Sequence, residues 1–365
     1  LNPGDRAVVR GKIYPFTARH GGYGRLMTRR GYVGTLYLNR SSLLLSDTLH
    51  RELFPKHLSL FLHERAVARL DRLALAPDEQ ALCNAMTAGD RRSLSPALRA
   101  AYSRSGTSHL LAVSGLHVGI VFLLANLLLW WLPLFRHGHI LRNIAVILLI
   151  WLYAATTGFP PSVVRAALMF SVLQFALASS SEYVGMNTLA GVAFVMLLFH
   201  PDYLFDISFQ LSFIAVAGII AWGLPLCRLL RTRRKSIDML TATLAIGFSA
   251  SAATAPLISH TFGQISVVGL ALNPVVILLS YVVVGSCTLW LVIPGTVLAP
   301  LFSDVAGFAA RAQNELIRAA AALPAAALDI RLTTTQCWIV YGLFIFATLL
   351  LWSAERKKSV SSLPE

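Results

Sequence analysis

The sequence predicts an all-α polytopic membrane protein with about eight to nine spanning segments, some broken or re-entrant, and a small β portion at the N-terminus. Composition carries most of this prediction. Of the 365 residues, 56% are hydrophobic and 13% are charged, whereas an ordinary soluble domain has roughly a quarter charged residues. The mean hydropathy is +0.65, and the apolar residues are gathered in runs near the roughly 20 residues that cross the hydrocarbon layer.

The charge is uneven along the chain. Its net value is +14, and residues 1–107 hold 17 Lys and Arg against 8 Asp and Glu. A basic front part suits a polyanion or an anionic lipid surface, although solubility alone is a sufficient explanation. The four cysteines have no metal or disulfide spacing, so no metal site and no cofactor is predicted. The chain begins with Leu1 and lacks the order of a signal peptide, which indicates a fragment of a longer protein.

Residues 1–50 are predicted to form a small, partial β domain. Two runs, 6–14 and 31–38, are rich in β-prone residues, and the glycines at 21–24 between them are turn material. Aromatic and cationic side chains are mixed there, as in proteins that stack bases and contact phosphates. The alternative is ordinary strand aromatics with solvated arginines. The candidate DNA-binding residues are Arg10, Lys12, Tyr14, Arg25, Arg29, Arg30 and Tyr32.

Residues 51–107 are predicted to form an amphipathic helix followed by short connecting helices. Apolar residues recur at helical spacing over 51–76, so this helix is predicted to lie on the lipid surface or, alternatively, to pack on the β domain. They are Leu58, Phe61, Leu62, Ala66, Leu70 and Leu73. Pro77, and Ser95 followed by Pro96, are typical of helix starts, and Gly89 is typical of a helix end.

Residues 108–355 are predicted to form the polytopic membrane domain, followed by a basic tail at 356–365. Eight apolar segments approach or exceed the length needed to span the bilayer. They cover 109–132, 141–158, 162–180, 186–200, 204–224, 239–260, 266–293 and 336–353. Asn273 and Pro274 are predicted to break the seventh segment, and residues 295–327 form an Ala-rich helix with charges. Interrupted helices usually mark protein-lined or wet regions of a membrane protein.

The Lys and Arg residues of the short loops predict the orientation. Arg136 and Arg142 after the first segment and the cluster at 228–235 after the fifth fall on one side if the segments alternate, and that side is the cytoplasmic one. The N-terminal β portion is then extracytoplasmic. The basic tail also belongs inside, so an extra crossing or a re-entrant hairpin is predicted within 266–327.

Polar residues inside the predicted spans are the candidates for a functional path, since polar groups at membrane depth are costly unless something satisfies them. The candidates are His109, Ser114, His117, Arg165, Asp206, Gln210 and Asn273. The first three lie on one stripe if residues 109–117 are helical. The prediction is that these residues line a polar path through the bundle. The alternative is that each is a structural residue satisfied locally.

A catalytic role for Ser114 is the chemical alternative. Activation of its hydroxyl by His117 would give an intramembrane serine hydrolase. Such a site also needs a third group that orients the imidazole, and neighbours on one helix rarely reach that geometry. His137 and His139 have no carboxylate or further His at ligand spacing. No catalytic residue and no metal ligand set is therefore predicted.

Several motifs occur in order along the chain. The longest, at 106–119, reads Gly-Thr-Ser-His-Leu-Leu-Ala-Val-Ser-Gly-Leu-His-Val-Gly. Others are Ala-Gly-Asp-Arg at 88–91, Pro-Ser-Val-Val-Arg-Ala-Ala-Leu-Met at 161–169, Phe-Asp-Ile-Ser-Phe-Gln-Leu-Ser-Phe at 205–213, Thr-Ala-Pro at 254–256, Phe-Gly at 262–263 and Asn-Pro at 273–274. Together these motifs resemble those of the ComEC family of DNA-uptake channels, the competence proteins of transformable bacteria.

The resemblance implies a multi-pass protein of the bacterial cytoplasmic membrane that transports single-stranded DNA during natural transformation. Residues 1–50 would be the last part of an external OB-like domain. A DNA receptor, a cytoplasmic helicase-type motor and membrane lipid are the implied partners, with a homo-oligomer as a further expectation. The metallo-β-lactamase-like domain of longer members does not follow before Glu365, so no enzymatic activity is expected. The alternatives from other classes are a small-solute transporter and a polytopic scaffold.

Overall fold

The structure is a computed structural model of the chain, and it describes residues 6–9, 11–15, 28, 33–37, 43–47, 56–178, 185–232, 234–293, 298–323 and 327–361. Four short strands precede the helices: β1 (Arg6–Val9), β2 (Ile13–Pro15), β3 (Gly34–Leu36) and β4 (Leu43–Asp47). The first pairs antiparallel with the fourth, and the second pairs antiparallel with the third. The two predicted β-prone runs therefore contain strands.

Helices make up most of the described chain. In chain order they are α1 (Lys56–Leu70), α2 (Pro77–Thr87), α3 (Pro96–Arg104), α4 (Gly115–Leu128), α5 (Gly138–Thr156), α6 (Pro161–Ala178), α7 (Gly185–Phe199), α8 (Ile207–Gly218), α9 (Leu224–Leu229), α10 (Lys235–Phe262), α11 (Val267–Val292), α12 (Ala299–Ala321) and α13 (Thr334–Ser361). A π-helical turn, Ile219–Gly223, joins α8 to α9.

Within the described residues, five segments are long and apolar enough to cross a membrane. They are Gly115–Leu134, Gly138–Thr156, Ile207–Leu229, Ile237–Phe262 and Leu272–Val292. Three shorter apolar helices cover Pro161–Leu177, Gly185–Phe199 and Thr334–Leu349. These eight helical segments fall where the eight apolar segments of the sequence were predicted, and the mostly helical, polytopic class is confirmed.

Local sequence signals place the helices before the membrane segments correctly. Pro77 occupies the first position of α2, as expected for a residue without a backbone N–H. Ser95 caps α3, because its hydroxyl accepts a hydrogen bond from the Leu98 N–H over 3.2 Å. Gly89 follows α2 with φ of 82°, a left-handed conformation that glycine adopts at little cost. All three predicted helix boundaries are confirmed.

Only part of the predicted apolar face of α1 is buried, and that part packs in the helical bundle, whereas Leu58 and Phe61 are exposed. Leu70 is fully buried and Ala66 nearly so, in a core cluster shared with α2, α11 and α12. The Ser59 hydroxyl donates to the Ala155 carbonyl over 2.7 Å at the end of α5. The prediction is wrong for Ala66, Leu70 and Leu73, because the helical bundle offers the same apolar burial as lipid does and hydropathy cannot distinguish between them.

The predicted break at Asn273 and Pro274 is also absent. The helix α11 runs without interruption from Val267 to Val292 with Pro274 inside it. A proline removes one intrahelical hydrogen bond, but neighbouring helices that pack around the site compensate for this loss in membrane proteins. Pro274 does interrupt the hydrogen bonding of α11, but it does not break the helix as predicted.

Helices α11 and α12 form a hairpin. They pack along each other, and the segments just outside them, β5 (Ile265–Ser266) and β6 (Ala327–Leu328), pair antiparallel. The chain therefore returns at the end of α12 to the end of the bundle at which α11 began. This hairpin occupies the region where an extra crossing or a re-entrant hairpin was predicted.

Five helices close a ring, which we call the five-helix ring. In cyclic order they are α4, α6, α8, α10 and α11, and each packs against the next, with α11 returning to α4. Helix α5 flanks α4 and α6, α7 flanks α6 and α8, α12 flanks α11, and α13 flanks α10. The ring follows the chain order but skips α5, α7 and α9, so most neighbours in the ring are separated in the chain by another helix and pair through long-range packing.

Small residues allow close approach within the ring. A Cβ added at Gly119 of α4 would lie 3.2 Å from the Phe170 ring of α6. A Cβ added at Gly218 of α8 would lie 2.5 Å from the Ala253 Cβ of α10 and 3.0 Å from the Ser249 carbonyl oxygen. Helices in apolar surroundings associate through such small-residue contacts, because lipid supplies no hydrophobic drive.

We expect Gly218→Ala to destabilise the protein by about 1–3 kcal/mol, because its methyl group would overlap α10. Gly191→Ala is the matched control, since nothing lies within 4 Å of a Cβ at that position of α7. Alanine has the higher helix propensity, so the control variant should be neutral or slightly stabilised. The unfolding midpoints of the detergent-purified variants measure the difference, and equal midpoints would contradict the α8–α10 contact.

The turn after α2 contains an ion pair between the buried Asp90 and the exposed Arg92, and this pair makes stability depend on pH. Asp90 accepts hydrogen bonds from Arg92 Nε over 2.9 Å and from NH2 over 2.8 Å. These bonds hold the pKa of Asp90 below its ordinary value of 3.8. The folded protein thus binds this proton less readily than the unfolded chain. The stabilisation is present above the ordinary value and is lost as the pH falls through the lower folded value.

We accordingly expect Asp90→Asn to lower the unfolding midpoint at neutral pH and to have little effect in strong acid, where the wild-type carboxyl is also protonated. Asp202→Asn, an exposed aspartate in the turn before α8, serves as the control. Thermal unfolding curves recorded across the acid range test this. A difference between wild type and Asp90→Asn that is the same at every pH would contradict the assignment.

Candidate functional site

The start of α4 is held by a reciprocal pair. Ser114 has extended backbone angles, with φ of −121° and ψ of 175°, and precedes the first helical residue. The backbone N–H of Ser114 donates to His117 Nδ1 over 2.9 Å, in the manner of a capping box. Because Nδ1 is the acceptor, the neutral ring carries its proton on Nε2. His117 is fully buried.

His109 does not share a helical stripe with these two residues, so that prediction is wrong. It lies in a short 3₁₀ turn, Ser108–Leu111, and its side chain is exposed. The chain then runs extended before α4 begins at Gly115. Long-range contacts fix this path: the Ser266 hydroxyl donates to the Ser105 carbonyl over 3.0 Å, and Gly106, with φ of 75°, lies directly against Ser266.

The geometry at Ser114 is that of a helix cap rather than of a nucleophile. Its hydroxyl oxygen lies 3.5 Å from His117 Nδ1, whereas the backbone N–H of the same residue occupies that nitrogen at 2.9 Å. A general base must accept the proton of the attacking hydroxyl, and here the accepting nitrogen is already used. The prediction that this pair is not catalytic agrees with the geometry.

Arg165 of α6 is the buried cation of the ring. Its side chain is only 3% exposed. The guanidinium carbon lies 5.4 Å from the ring centroid of Phe213 on α8, which is within cation–π distance. Its NH1 nitrogen is buried and has no hydrogen-bond partner among the described residues. A guanidinium with a donor nitrogen to spare can bind an oxyanion such as phosphate.

Asp206 and Gln210 build the beginning of α8. Asp206 caps this helix by accepting from the Ser208 N–H over 2.8 Å. The Gln210 amide donates to the Leu204 carbonyl over 2.8 Å in the preceding turn. Both side chains are used by local backbone groups. These contacts agree with the alternative that the two residues are structural and are satisfied locally.

Asn273 and Ser249 add two more buried polar atoms to the ring. Asn273 Oδ1 on α11 and Ser249 Oγ on α10 have no hydrogen-bond partner within the part of the chain that the structure describes. Asn273 was a candidate from the sequence, and Ser249 was missed. Its only signal was position: it lies between the small residues of an apolar helix, and it packs beside Gly218 and Gly223 on either side of the π-helical turn.

Four of the five ring helices thus carry a buried polar atom that the described residues leave without a protein partner. They are His117 Nε2 on α4, Arg165 NH1 on α6, Ser249 Oγ on α10, and Asn273 Oδ1 and Thr288 Oγ1 on α11; outside the ring, Thr87 Oγ1, Arg142 Nε and Tyr153 Oη are buried in the same way. Buried polar groups nearly always have a partner, which is water or a solute where the protein provides none. The ring therefore combines an apolar exterior with hydrogen-bonding groups and one cation.

A second buried polar cluster lies at the far ends of α4 and α6. The Gln174 amide donates to Asn143 over 2.6 Å, and Asn126 donates to Gln174 over 3.4 Å. Arg142 NH2 donates to Asn126 Oδ1 over 3.0 Å. These contacts tie α4, α5 and α6 together. The sequence analysis used Arg142 only as a loop charge and missed this cluster. Asn126, Asn143 and Gln174 are polar residues in apolar helices, and that is the same signal by which Asn273 was selected.

The candidate DNA-binding residues of the N-terminal portion are only partly described. Lys12 Nζ lies 6.0 Å from the centroid of the Tyr14 ring, and Tyr14 meets Tyr37 edge to face with centroids 5.8 Å apart. Tyr14 is half exposed. The remaining candidates, Arg10, Arg25, Arg29, Arg30 and Tyr32, lie outside the described residues.

Comparison with known proteins gives two similar relatives. The first is "ComE operon protein 3" of Bacillus subtilis (strain 168), 32% identical over 204 residues, which are 54% of this chain and 24% of that protein. An "Uncharacterized protein" of Aquifex aeolicus (strain VF5) is 29% identical over 201 residues, 54% of this chain and 45% of that protein. The matched part thus spans less than half the length of either relative. No solved structure matches the chain.

The family comparison covers the helical part of the chain. The sequence model described as "Competence protein" matches residues 86–357, from the end of α2 to the last turns of α13. This range includes every helix of the five-helix ring and the motifs noted in the sequence. The family resemblance read from those motifs is therefore confirmed, and the chain belongs to the Competence protein family.

Proposed function

We propose that this chain is the membrane part of a DNA-uptake protein and that single-stranded DNA crosses the cytoplasmic membrane through the five-helix ring. Membership of the Competence protein family and the relative named for the ComE operon support a role in DNA uptake for transformation. The observation that carries the transport step is Arg165, a buried cation with a donor nitrogen available beside the aromatic ring of Phe213.

The chemistry of the cargo explains why such a residue is needed. A single strand carries one negative charge per nucleotide, and a charge in the hydrocarbon layer is very costly unless it is paired. Proteins that bind single strands offer cations to the phosphates and aromatic faces to the bases. Arg165 and Phe213 provide one group of each kind on adjacent ring helices. His117 and Asn273 add a donor and an acceptor.

The arrangement of the last helices supports the proposed orientation. Helix α10 follows the basic cluster at 228–235, and α12 returns the chain to the end of the bundle where α11 began. Helix α13 then travels back toward the basic cluster, so the tail with Arg356, Lys357 and Lys358 ends on the same side. The positive-inside rule makes that side cytoplasmic. The start of α4 and the N-terminal strands then face outward.

The remaining parts of the proposal concern regions and partners outside the ring. The paired strands β1–β4 and β2–β3, with Lys12 and the exposed Tyr14, support an external OB-like DNA-binding portion in residues 1–50. Residues 51–107 connect it to the membrane domain at 108–355. Transport of a polyanion needs a driving force, so a DNA receptor outside and a helicase-type motor inside are the proposed partners, with a homo-oligomer as an additional assembly.

We expect Arg165→Met, as the only copy in transformable cells, to reduce nuclease-protected internal DNA by about tenfold or more, because a hydrogen bond to a charged group contributes about 1.5–3 kcal/mol. DNA bound at the cell surface should not change. Arg228→Met, which removes an exposed arginine of α9, is the matched control. Membrane levels of each variant are measured in parallel, and normal uptake by a stably inserted double variant, Arg165→Met with His117→Ala, would overturn the transport proposal.

The cap at Ser114 yields a second expectation. Ser114→Ala keeps the backbone N–H that His117 binds, so it should cost less than about 1 kcal/mol of stability and leave DNA uptake near normal. His117→Ala leaves that N–H without its acceptor and should cost about 1–3 kcal/mol. Unfolding midpoints and uptake assays separate the two. Loss of uptake in Ser114→Ala, with normal stability, would revive the hydrolase alternative.

A further inference from the structure

Helix α1 presents a second face that the bundle does not cover. Residues 58, 61, 65, 69 and 72 are spaced by three or four positions, so they share one side of the helix and of the turn that follows it. We call these residues the α1 stripe: Leu58, Phe61, Arg65, Arg69 and Arg72. Ala66, Leu70 and Leu73 lie on the opposite side and are buried. The stripe is apolar at its first two positions and cationic at its last three.

The stripe combines an aromatic face with guanidinium groups. Phe61 is 44% exposed, and the Arg65 guanidinium carbon lies 4.5 Å from the centroid of its ring. That distance is typical of a stacked cation–π pair. Since an arginine plane and an aromatic ring both stack on nucleobases, the pair forms a flat and partly exposed surface of a kind found in single-strand binding sites.

The charge of the stripe is not neutralised by neighbouring acids. Within the described residues, none of the guanidinium groups of Arg65, Arg69 and Arg72 makes a salt bridge. Two acids are adjacent to the stripe in sequence: Asp71 accepts a hydrogen bond from the Asn84 amide over 2.8 Å and is thereby turned toward α2, and Glu64 is exposed and forms no salt bridge with the described residues. The three arginines are available to an anionic partner.

The position of α1 relates the stripe to the ring. Ser59 and His63 of α1 hydrogen-bond the Ala155 and Thr156 carbonyls at the end of α5. Next to that end, Gly89 lies against both Thr157 and Val113, and Val113 immediately precedes the Ser114 cap of α4. The stripe is therefore attached beside the Ser114 end of the five-helix ring and follows the N-terminal portion in the chain.

We infer that the α1 stripe is a binding site for single-stranded DNA, with a base stacked at Phe61 and the backbone phosphates at Arg65, Arg69 and Arg72. This inference rests on the proposed function and extends it, because it places a DNA contact between the N-terminal portion and the ring. An anionic lipid surface is less suited to the stripe. A helix that lies in the lipid interface needs a broad apolar face, and the broad apolar face of α1 is buried in the bundle.

Equilibrium binding of a fluorescent oligothymidine to the full chain in zwitterionic-lipid nanodiscs tests the site directly. The stripe variant Arg65→Gln/Arg69→Gln/Arg72→Gln is compared with Arg228→Gln/Arg231→Gln/Arg234→Gln, which removes the same charge from exposed positions between α8 and α10. We expect the stripe variant to bind about tenfold or more weakly at low salt. Its salt slope should fall by about 2, because each lost phosphate contact on a single strand removes about 0.7.

A second pair of variants separates stacking from charge. Phe61→Ala should weaken oligothymidine binding by about tenfold while leaving the salt slope unchanged, since base stacking releases no counterions. Leu58→Ala removes the adjacent exposed apolar side chain of the stripe and should have little effect. Both variants keep the buried face of α1 intact, so the bundle remains folded and circular dichroism should confirm this.

Other results would overturn the inference. Equal loss of binding in the two triple variants would mean that only overall charge matters. Unchanged DNA binding in the stripe variant, together with weaker binding to vesicles that contain phosphatidylglycerol, would assign the stripe to lipid. The test is independent of transport: if the stripe variant loses oligothymidine binding while Arg165→Met cells take up DNA normally, the stripe remains a DNA site and the ring proposal fails.

Discussion

A polar group inside an apolar helical bundle must find a partner, and this requirement organises the whole structure. Most polar side chains of the described membrane helices meet it locally. The Asp206 carboxylate caps its own helix, and the Thr254 and Ser286 hydroxyls return to carbonyls three or four residues earlier. Other polar side chains find their partners on neighbouring helices, as in the hydrogen bonds that join Gln174 to Asn143 and to Asn126 across three helices. These hydrogen bonds tie the helices of the bundle together.

The ring helices also include polar groups that have no hydrogen-bond partner among the described residues. Arg165 contacts a phenylalanine face, which attracts a cation but accepts no conventional hydrogen bond. His117 uses one ring nitrogen to start α4 and keeps the other without a protein partner. An unsatisfied buried polar atom costs about 1–3 kcal/mol, and four of the ring helices carry at least one such atom among the described residues. A site that handles a polar cargo has a physical reason to bear that cost.

The sequence predicted the elements whose causes are local. Pro77, Gly89 and Ser95 act on their own backbone, so the boundaries of α2 and α3 followed from them, and the runs of apolar residues located the membrane helices. Prediction failed where the cause is distant in the chain. The turn holding His109 depends on Ser266, 157 residues later, and the burial of α1 depends on α5, α11 and α12. No sequence pattern shows that α5, α7 and α9 lie outside the ring, and Ser249 could be recognised only after Gly218 and Gly223 were found beside it.

The hairpin of α11 and α12 connects the ring to the helices that precede it, because α11 packs against both. On one side α11 closes the ring against α4 and α10. On the other, Ser280 of α11 contacts Gln313 of α12, which in turn bonds the Tyr102 hydroxyl of α3. Glu79 of α2 is clamped to Arg311 of α12 at 2.7 Å. If α11 moves outward from the ring, α12 must move with it, and the contacts of α12 with α2 and α3 are strained. The position of α11 in the ring is thus coupled mechanically to the positions of α2 and α3.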